Sequence, residues 1–259
     1  MVPAWRRDRL LRHLRDRGAA TVAELAAVIG ASESTARRDV EALAAQGALV
    51  RTPGGVMAPD RPPSTFEPSS AEAARAAVAQ KAAIGREAAA RIEPAQCVFF
   101  DTGTTVRAAA TAAVRRRIAF TALTNDLQTA IVLTGEPSVT LIVTGGTLRA
   151  GSFSLLGAPG LDFLRGLHPD LALIGAHGVD GGVVTETSVE LAEVKIAAIR
   201  RARRCILLAD ASKFRTRALR TVAPLSAFAE IISDPGLDPA EASSLRAAGA
   251  TVTQARAEA

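Results

Sequence analysis

Over residues 21–46 the apolar positions recur three and four apart, the spacing of one helix face. Leu25, Val28 and Ile29 form the first such face. Thr21-Val22-Ala23-Glu24 ahead of it is a capping-box pattern, in which Thr21 caps the third helical amide and Glu24 reaches back. Gly30 and Ala31 interrupt the period, and Ser32 is placed to cap a second helix, expected at 33–46, whose inward stripe is Ala36, Val40 and Leu43. Two short helices about a glycine-containing turn predict a helix-turn-helix. Residues 49–57 then read as a hairpin, or wing, with Gly54 and Gly55 at its tip.

Residues 58–71 hold four Pro and three Ser and read as linker. Beyond them the pattern changes. Continuous apolar runs (QCVFF, IAFTALT, VTLIVT, LALIGA, CILLA, AEIIS) alternate with helical stretches near 79–92, 105–117, 126–134, 188–204 and 238–248. Strands apolar on both faces, with helices between them, predict a doubly wound, mostly parallel α/β sheet covered on both sides. The expected organisation is therefore a winged helix-turn-helix at 1–57, a linker at 58–78 and an α/β domain at 79–259.

Charge adds a partner to the first domain. The chain carries a net charge of +5. Residues 5–17 alone hold six Arg against two Asp on a short helical stretch, which suits phosphate contact. On the second helix Ser34, Arg37, Arg38 and Glu41 share one polar stripe, with Ser32 and Thr35 at its start. Arginine reads guanine edges bidentately or grips phosphate, and in the wing Arg51 can neutralise a backbone that the glycines let approach. Double-stranded DNA is the expected partner, contacted by Ser32, Ser34, Thr35, Arg37, Arg38, Arg51, Gly54 and Gly55. With no Tyr, one Trp and eight Phe, the chain lacks a platform for stacking single-stranded bases.

In the second domain the polar chemistry gathers after the strands. Asp101-Thr102-Gly103-Thr104-Thr105 is a strand, a glycine-hydroxyl loop and a helix start, where a phosphate would meet free amides, the positive end of a helix dipole and hydroxyls. It has neither the GK[ST] of a P-loop nor GxGxxG, so no nucleotide cofactor is expected. Asn125, Gly145, Gly146, Gly175 and His177 follow other strands, and ligands of open α/β sheets bind beyond those carboxyl ends. Only three of the 31 basic residues are lysine, and two of them, Lys195 on a helix after the acidic loop holding Glu186 and Lys213 after a strand, are candidates for a phosphate or hydroxyl cluster.

Taken together, STARRDVEALAAQGALVRTPGG, FFDTGTTV, LTND, TGG, GAHGVD, the spacing from Glu186 to Lys195 and ADASKF resemble the DeoR family of bacterial regulators over nearly the whole chain. The resemblance implies a transcriptional regulator, usually a repressor of a sugar operon. Its sensing domain would be similar in fold to ribose-5-phosphate isomerase and CoA transferases and would bind a phosphorylated sugar. Carried over, the phosphate would lie on Thr102, Gly103, Thr104 and Thr105 beside Asp101, with Asn125, Gly145, Gly146, Gly175, His177, Glu186, Lys195 and Lys213 around the rest. A homo-oligomer, dimer or tetramer, is expected. An isomerase on the same fold is the rival reading, and the complete helix-turn-helix and wing argue against it, so no catalytic residue is expected. His13 is expected at the surface and His168 in a loop, and no metal site is expected. Cys97 and Cys205 open apolar runs without metal-ligand spacing and are expected to be reduced core thiols. No apolar run is long enough to span a bilayer, and no signal-peptide pattern opens the chain, so a cytoplasmic protein is expected.

Overall fold

The computed structural model describes residues 3–52, 55–57, 64–65, 67–68 and 70–256. The chain divides into two compact units, Met1–Glu72 and Ala73–Ala259.

In the first unit α1 (Pro3–Arg17) precedes a short strand β1 (Ala19–Ala20), then come α2 (Val22–Ile29), α3 (Glu33–Ala45), β2 (Val50–Thr52) and β3 (Gly55–Met57). The capping box forms as its residue types require: the Glu24 amide donates to Thr21 Oγ1 at 3.2 Å, and the Thr21 amide donates to Glu24 Oε2 at 2.7 Å. Gly30, left-handed at φ 63°, ends α2, and Ser32 caps α3 by accepting from the Thr35 amide at 3.3 Å. Leu10, Leu14, Leu25, Ile29, Ala36, Val40, Leu43 and Val56 close one small core, so the apolar stripes of all three helices meet. β3 is the centre of a three-stranded antiparallel sheet, order β1-β3-β2, which makes the hairpin a wing.

α4 (Ser70–Arg75) spans the boundary between the units and is followed by α5 (Val78–Ala89), so the stretch expected as linker, 58–78, ends in helix. Lys81 is the reason this Ala-rich segment is held: its buried ammonium donates to the carbonyls of Ala73 at 2.5 Å and Ala76 at 2.7 Å. After β4 (Cys97–Phe100) come α6 (Thr104–Arg115), β5 (Phe120–Thr124), α7 (Leu127–Leu133), β6 (Val139–Val143) and a small hairpin, β7 (Thr147–Leu148) with β8 (Leu155–Leu156). Then follow α8 (Ala158–Arg165), β9 (Leu171–Gly175), β10 (Gly178–Asp180), β11 (Val183–Glu186), α9 (Val189–Arg201) and β12 (Arg204–Leu208). The chain continues through β13 (Arg220–Pro224), β14 (Glu230–Ser233), α10 (Pro239–Ala247) and β15 (Val252–Gln254).

Seven strands form one wholly parallel sheet, order β15-β14-β12-β9-β4-β5-β6. Alternation along each strand feeds two cores. Val98, Phe100, Leu171, Leu173, Ile206 and Leu208 face α5, α6 and α7, whereas Phe99, Ala172, Ile174, Cys205 and Leu207 face α8, α9 and α10. Both faces being covered explains why the strands read as unbroken apolar runs. Outside this sheet, β10, β11 and β13 form a second, antiparallel one. Among the described residues no helix is long and apolar enough to cross a membrane.

Candidate nucleic-acid interface and anion site

Burial of Ala36, Val40 and Leu43 turns the opposite side of α3 outward, and Ser34, Arg37, Arg38 and Glu41 are exposed there. Neither arginine makes an ion pair with a described residue, so both guanidinium groups are available to a partner. Ser32 and Thr35 bond one another through their hydroxyls at 3.0 Å at the start of the same face. Arg51 is exposed on β2 opposite Val56. Gly54 lies outside the described residues. Gly55 has a packing reason to be glycine, because a Cβ there would sit 2.5 Å from the Ala20 carbonyl oxygen.

The basic helix is less free than its composition suggests. Arg6 and Arg7 are turned onto Asp39 of α3, and Arg12 pairs with Asp8 at 2.8 Å. The buried Asp39 escaped the sequence reading, although its position three after Ala36 and four before Leu43 puts it on the inward side of α3.

In the second unit the chain leaves β4 toward β5 and β6 on one side, then returns to β9, β12, β14 and β15 on the other. The topological switch point therefore lies between β4 and β9, where successive loops diverge and open a crevice. Asp101 and the 102–105 loop leave β4 at this point, and Gly175 and His177 leave β9 beside it. Gly103 is the N-cap of α6 at φ 118°, with no side chain bonded to the helix amides. The first turn of a twelve-residue helix thus presents unpaired N–H groups and the positive end of its dipole.

The Thr102 hydroxyl is engaged within the protein. It bonds Asp126 Oδ2 at 3.0 Å and Ser154 Oγ at 2.6 Å, tying the loop to β5 and to the β7–β8 hairpin. Asp126 also caps α7 by accepting from the Thr129 amide at 2.7 Å. Asp126 and Ser154 are thus supports of the loop that the sequence reading did not assign. The LTND motif contained the first, whereas the second follows from long-range pairing alone.

Beneath the loop three charged groups meet out of water. Lys195 Nζ bonds Asp101 Oδ2, lies 3.4 Å from Glu186 Oε2, and donates to the Gly175 carbonyl at 3.1 Å. The Gly175 amide returns a bond to Asp101 Oδ2 at 3.0 Å. Burial raises the Asp101 carboxyl above its ordinary range despite the ammonium beside it. Burial works the same way on Glu186, but there Lys195, the Thr187 amide and nearby His177 outweigh it and hold the carboxyl low. For Lys195, burial opposes the charge, yet the two carboxylates keep its proton on and raise it above the ordinary lysine value. Asp101 Oδ1 and Asn125 Oδ1 are buried without a hydrogen-bond partner, two unanswered acceptors just past the carboxyl ends of the adjacent strands β4 and β5.

Glu186 sits at the end of strand β11 and not in the acidic loop expected from the sequence; the alternation GVDGGVVTE with glycines at 181 and 182 is the hairpin signal that would have found it. Gly145 and Gly146 follow β6 at positive φ, and a Cβ on Gly146 would lie 2.4 Å from the Leu156 carbonyl oxygen, so hairpin packing accounts for that glycine. His177 is half-buried near Glu186; His13, expected at the surface, is half-buried as well, and His168 is exposed. Lys213 ends a 3-10 turn after β12, half-buried and without an ion pair among the described residues. Cys205 is a buried free thiol pushed up to about 11 by its burial, and Cys97 is only half-buried. Among the described residues no cluster of His, Cys, Asp or Glu has the makings of a metal site.

A helix-turn-helix head and a parallel α/β unit with a topological switch point between β4 and β9 define a class of protein, the DNA-binding regulator with its own small-molecule sensor. Residues 6–61 match the DeoR-like helix-turn-helix domain and residues 76–235 the DeoR C terminal sensor domain. The chain belongs to the DeoR family of transcriptional regulators. It is 33% identical to the uncharacterized HTH-type transcriptional regulator YgbI of Escherichia coli K12, over 92% of each chain. With the putative aga operon transcriptional repressor of Escherichia coli O157:H7 it shares 31% identity, covering 95% of this chain and 92% of the other. Ribose 5-phosphate isomerase A from Methanocaldococcus jannaschii aligns with 52% of the chain and 53% of its own, at a TM-score of 0.39 and 14% identity.

Proposed function

We propose that the chain is a cytoplasmic repressor of a carbohydrate-use operon, acting as a homo-oligomer on double-stranded operator DNA and controlled by a phosphorylated sugar. The observation that carries the sensing half is the uncapped start of α6 at the switch point, directly above a buried Asp101–Lys195–Glu186 cluster. The amides of residues 103–105 take the phosphate, and Asn125, Gly145, Gly175, His177, Glu186 and Lys195 line the sugar end. Lys213 contributes a free ammonium from the neighbouring strand end. The relative named as an aga operon repressor supports a carbohydrate operon as the target. On the DNA side, the exposed Arg37, Arg38 and Ser34, with half-buried Thr35 beside them, read bases while Arg51 and the wing hold phosphate. The role of the sensor is binding without turnover, with coupling of about 1–3 kcal/mol between the two ligands.

The test is a thermal-shift panel of phosphorylated sugars, their unphosphorylated forms and inorganic phosphate, followed by titration of each hit against protein bound to its preferred duplex. At least one sugar phosphate is expected to raise the melting temperature and change DNA occupancy, and Lys213→Ala is expected to blunt that response while leaving DNA affinity intact. A panel with no hit, or equal responses to the unphosphorylated sugars, overturns the sensing assignment.

A further inference from the structure

Asp39 is a carboxylate on the inward side of α3, 2% exposed, between the apolar contacts of Ala36 and Leu43. Both its oxygens are answered from α1. Arg6 Nε donates to Oδ2 at 2.7 Å and Arg6 Nη2 to Oδ1 at 3.4 Å, while Arg7 Nε donates to Oδ1 at 3.1 Å. The two residues before it, Arg37 and Arg38, point the other way into solvent.

We propose that Asp39 is a positioning residue for DNA recognition: clamped by Arg6 and Arg7, it fixes the rotation and register of α3 and so aims Arg37 and Arg38. The proposal rests on the reading of the Arg37–Arg38 face as the one that meets bases. Apolar contacts are non-directional, so Ala36, Val40 and Leu43 turn the polar side of α3 outward but set its angle about its own axis only coarsely. A guanidinium fork on a buried carboxylate is directional in both distance and plane, which makes it the element that selects one setting. A turn of 100° per residue separates Asp39 from Arg38 on the helix, so a small rotation that relieves Asp39 swings both arginines together. The same geometry reassigns Arg6 and Arg7: their charge is spent inside the head and is not offered to phosphate.

The experiment compares affinity for the duplex preferred by the native chain, selected from a random library, with affinity for random duplex, each over a salt series. Asp39→Asn is expected to lose on the order of tenfold or more in affinity for the preferred duplex, the scale of one base contact. Its affinity for random duplex should hold or rise, and its salt slope should steepen as Arg6 and Arg7 are released toward phosphate. The charge-conserving pair Arg6→Lys with Arg7→Lys is expected to show the same loss of preference with an unchanged salt slope, because lysine keeps the charge but not the fork. Far-UV melting accompanies each variant, and if Asp39→Asn is unfolded at the assay temperature the lysine pair decides by the same two affinities. Parallel loss on both duplexes, or an unaltered preference in the lysine pair, overturns the proposal. Loss of preference in Arg37→Ala and Arg38→Ala without loss in the lysine pair overturns it while leaving the DNA-reading face in place, and a native chain with no preferred duplex removes both.

Discussion

The two ends of the parallel sheet each bury carboxylate charge, and they treat it differently. At the amino end Glu230, the first residue of β14, is enclosed by Arg91 at 2.7 and 3.2 Å, Arg204 at 3.0 Å and the Thr253 hydroxyl at 2.8 Å. Every lone-pair direction has a donor, and both arginines keep an edge in solvent. At the carboxyl end two carboxylates share one fully buried ammonium, and Asp101 Oδ1 and Asn125 Oδ1 have no donor at all. Unanswered buried acceptors cost stability, so an end that retains them is organised around something other than stability. The amino end is a clasp. The carboxyl end leaves two buried acceptors unanswered, at the switch point where sheets of this kind bind ligands.

Removing the shared ammonium should have the largest effect on this contrast. Lys195→Met strands Asp101 and Glu186 in a dry site and is expected to destabilise the sensor unit by about 3–5 kcal/mol, read by calorimetry; a change below about 1 kcal/mol would mean that water or protonation already relieves the cluster. Next comes the clasp. Burial alone would raise the Glu230 carboxyl, but Arg91, Thr253 and Arg204 hold it below its ordinary value. The folded value being depressed, its stabilisation is present above about pH 4.3, the unfolded value, and is lost as pH falls through the folded one. Glu230→Gln is expected to cost about 1–3 kcal/mol at neutral pH and to flatten the acid limb of the stability curve, and an acid limb identical to the native one would refute this account. The smallest effect belongs to an orphan. Asn125→Leu replaces a side chain whose only bond among the described residues is a 3.4 Å contact to the Leu155 carbonyl. It should shift stability by less than about 1 kcal/mol in either direction while abolishing the thermal shift given by the sugar phosphate; a large destabilisation would show that Asn125 belongs with the clasp.

Much of the fold was legible in the sequence, because its signals are local. The capping box at Thr21 and Glu24, the Ser32 cap and the apolar stripe of α3 are satisfied within a few residues of chain, and the structure has each. The unbroken apolar runs declared a parallel sheet covered on both faces for the same reason, since each strand faces helices whichever way its side chains point. The hairpin β7–β8 and α8 were not legible, being short elements whose stability comes from what they pack on, whereas the β10–β11 hairpin carried a local signal in Gly181 and Gly182.

The sensor loop repeats the division. Gly103 and the threonines around it announce a helix start suited to an anion, and that needs only the local backbone. That Thr102 turns away to Ser154, 52 residues on, depends on tertiary packing. So does the meeting of Asp101 with Lys195, 94 residues apart, and of Asp39 with Arg6, 33 apart. The sequence by itself determined the architecture, the family and the strand ends where chemistry gathers. Tertiary structure alone decided which charges are spent on one another and which remain for a partner. A side chain's free valence depends on desolvation and on neighbours brought together across the fold, and neither is written in the spacing of residues along the chain.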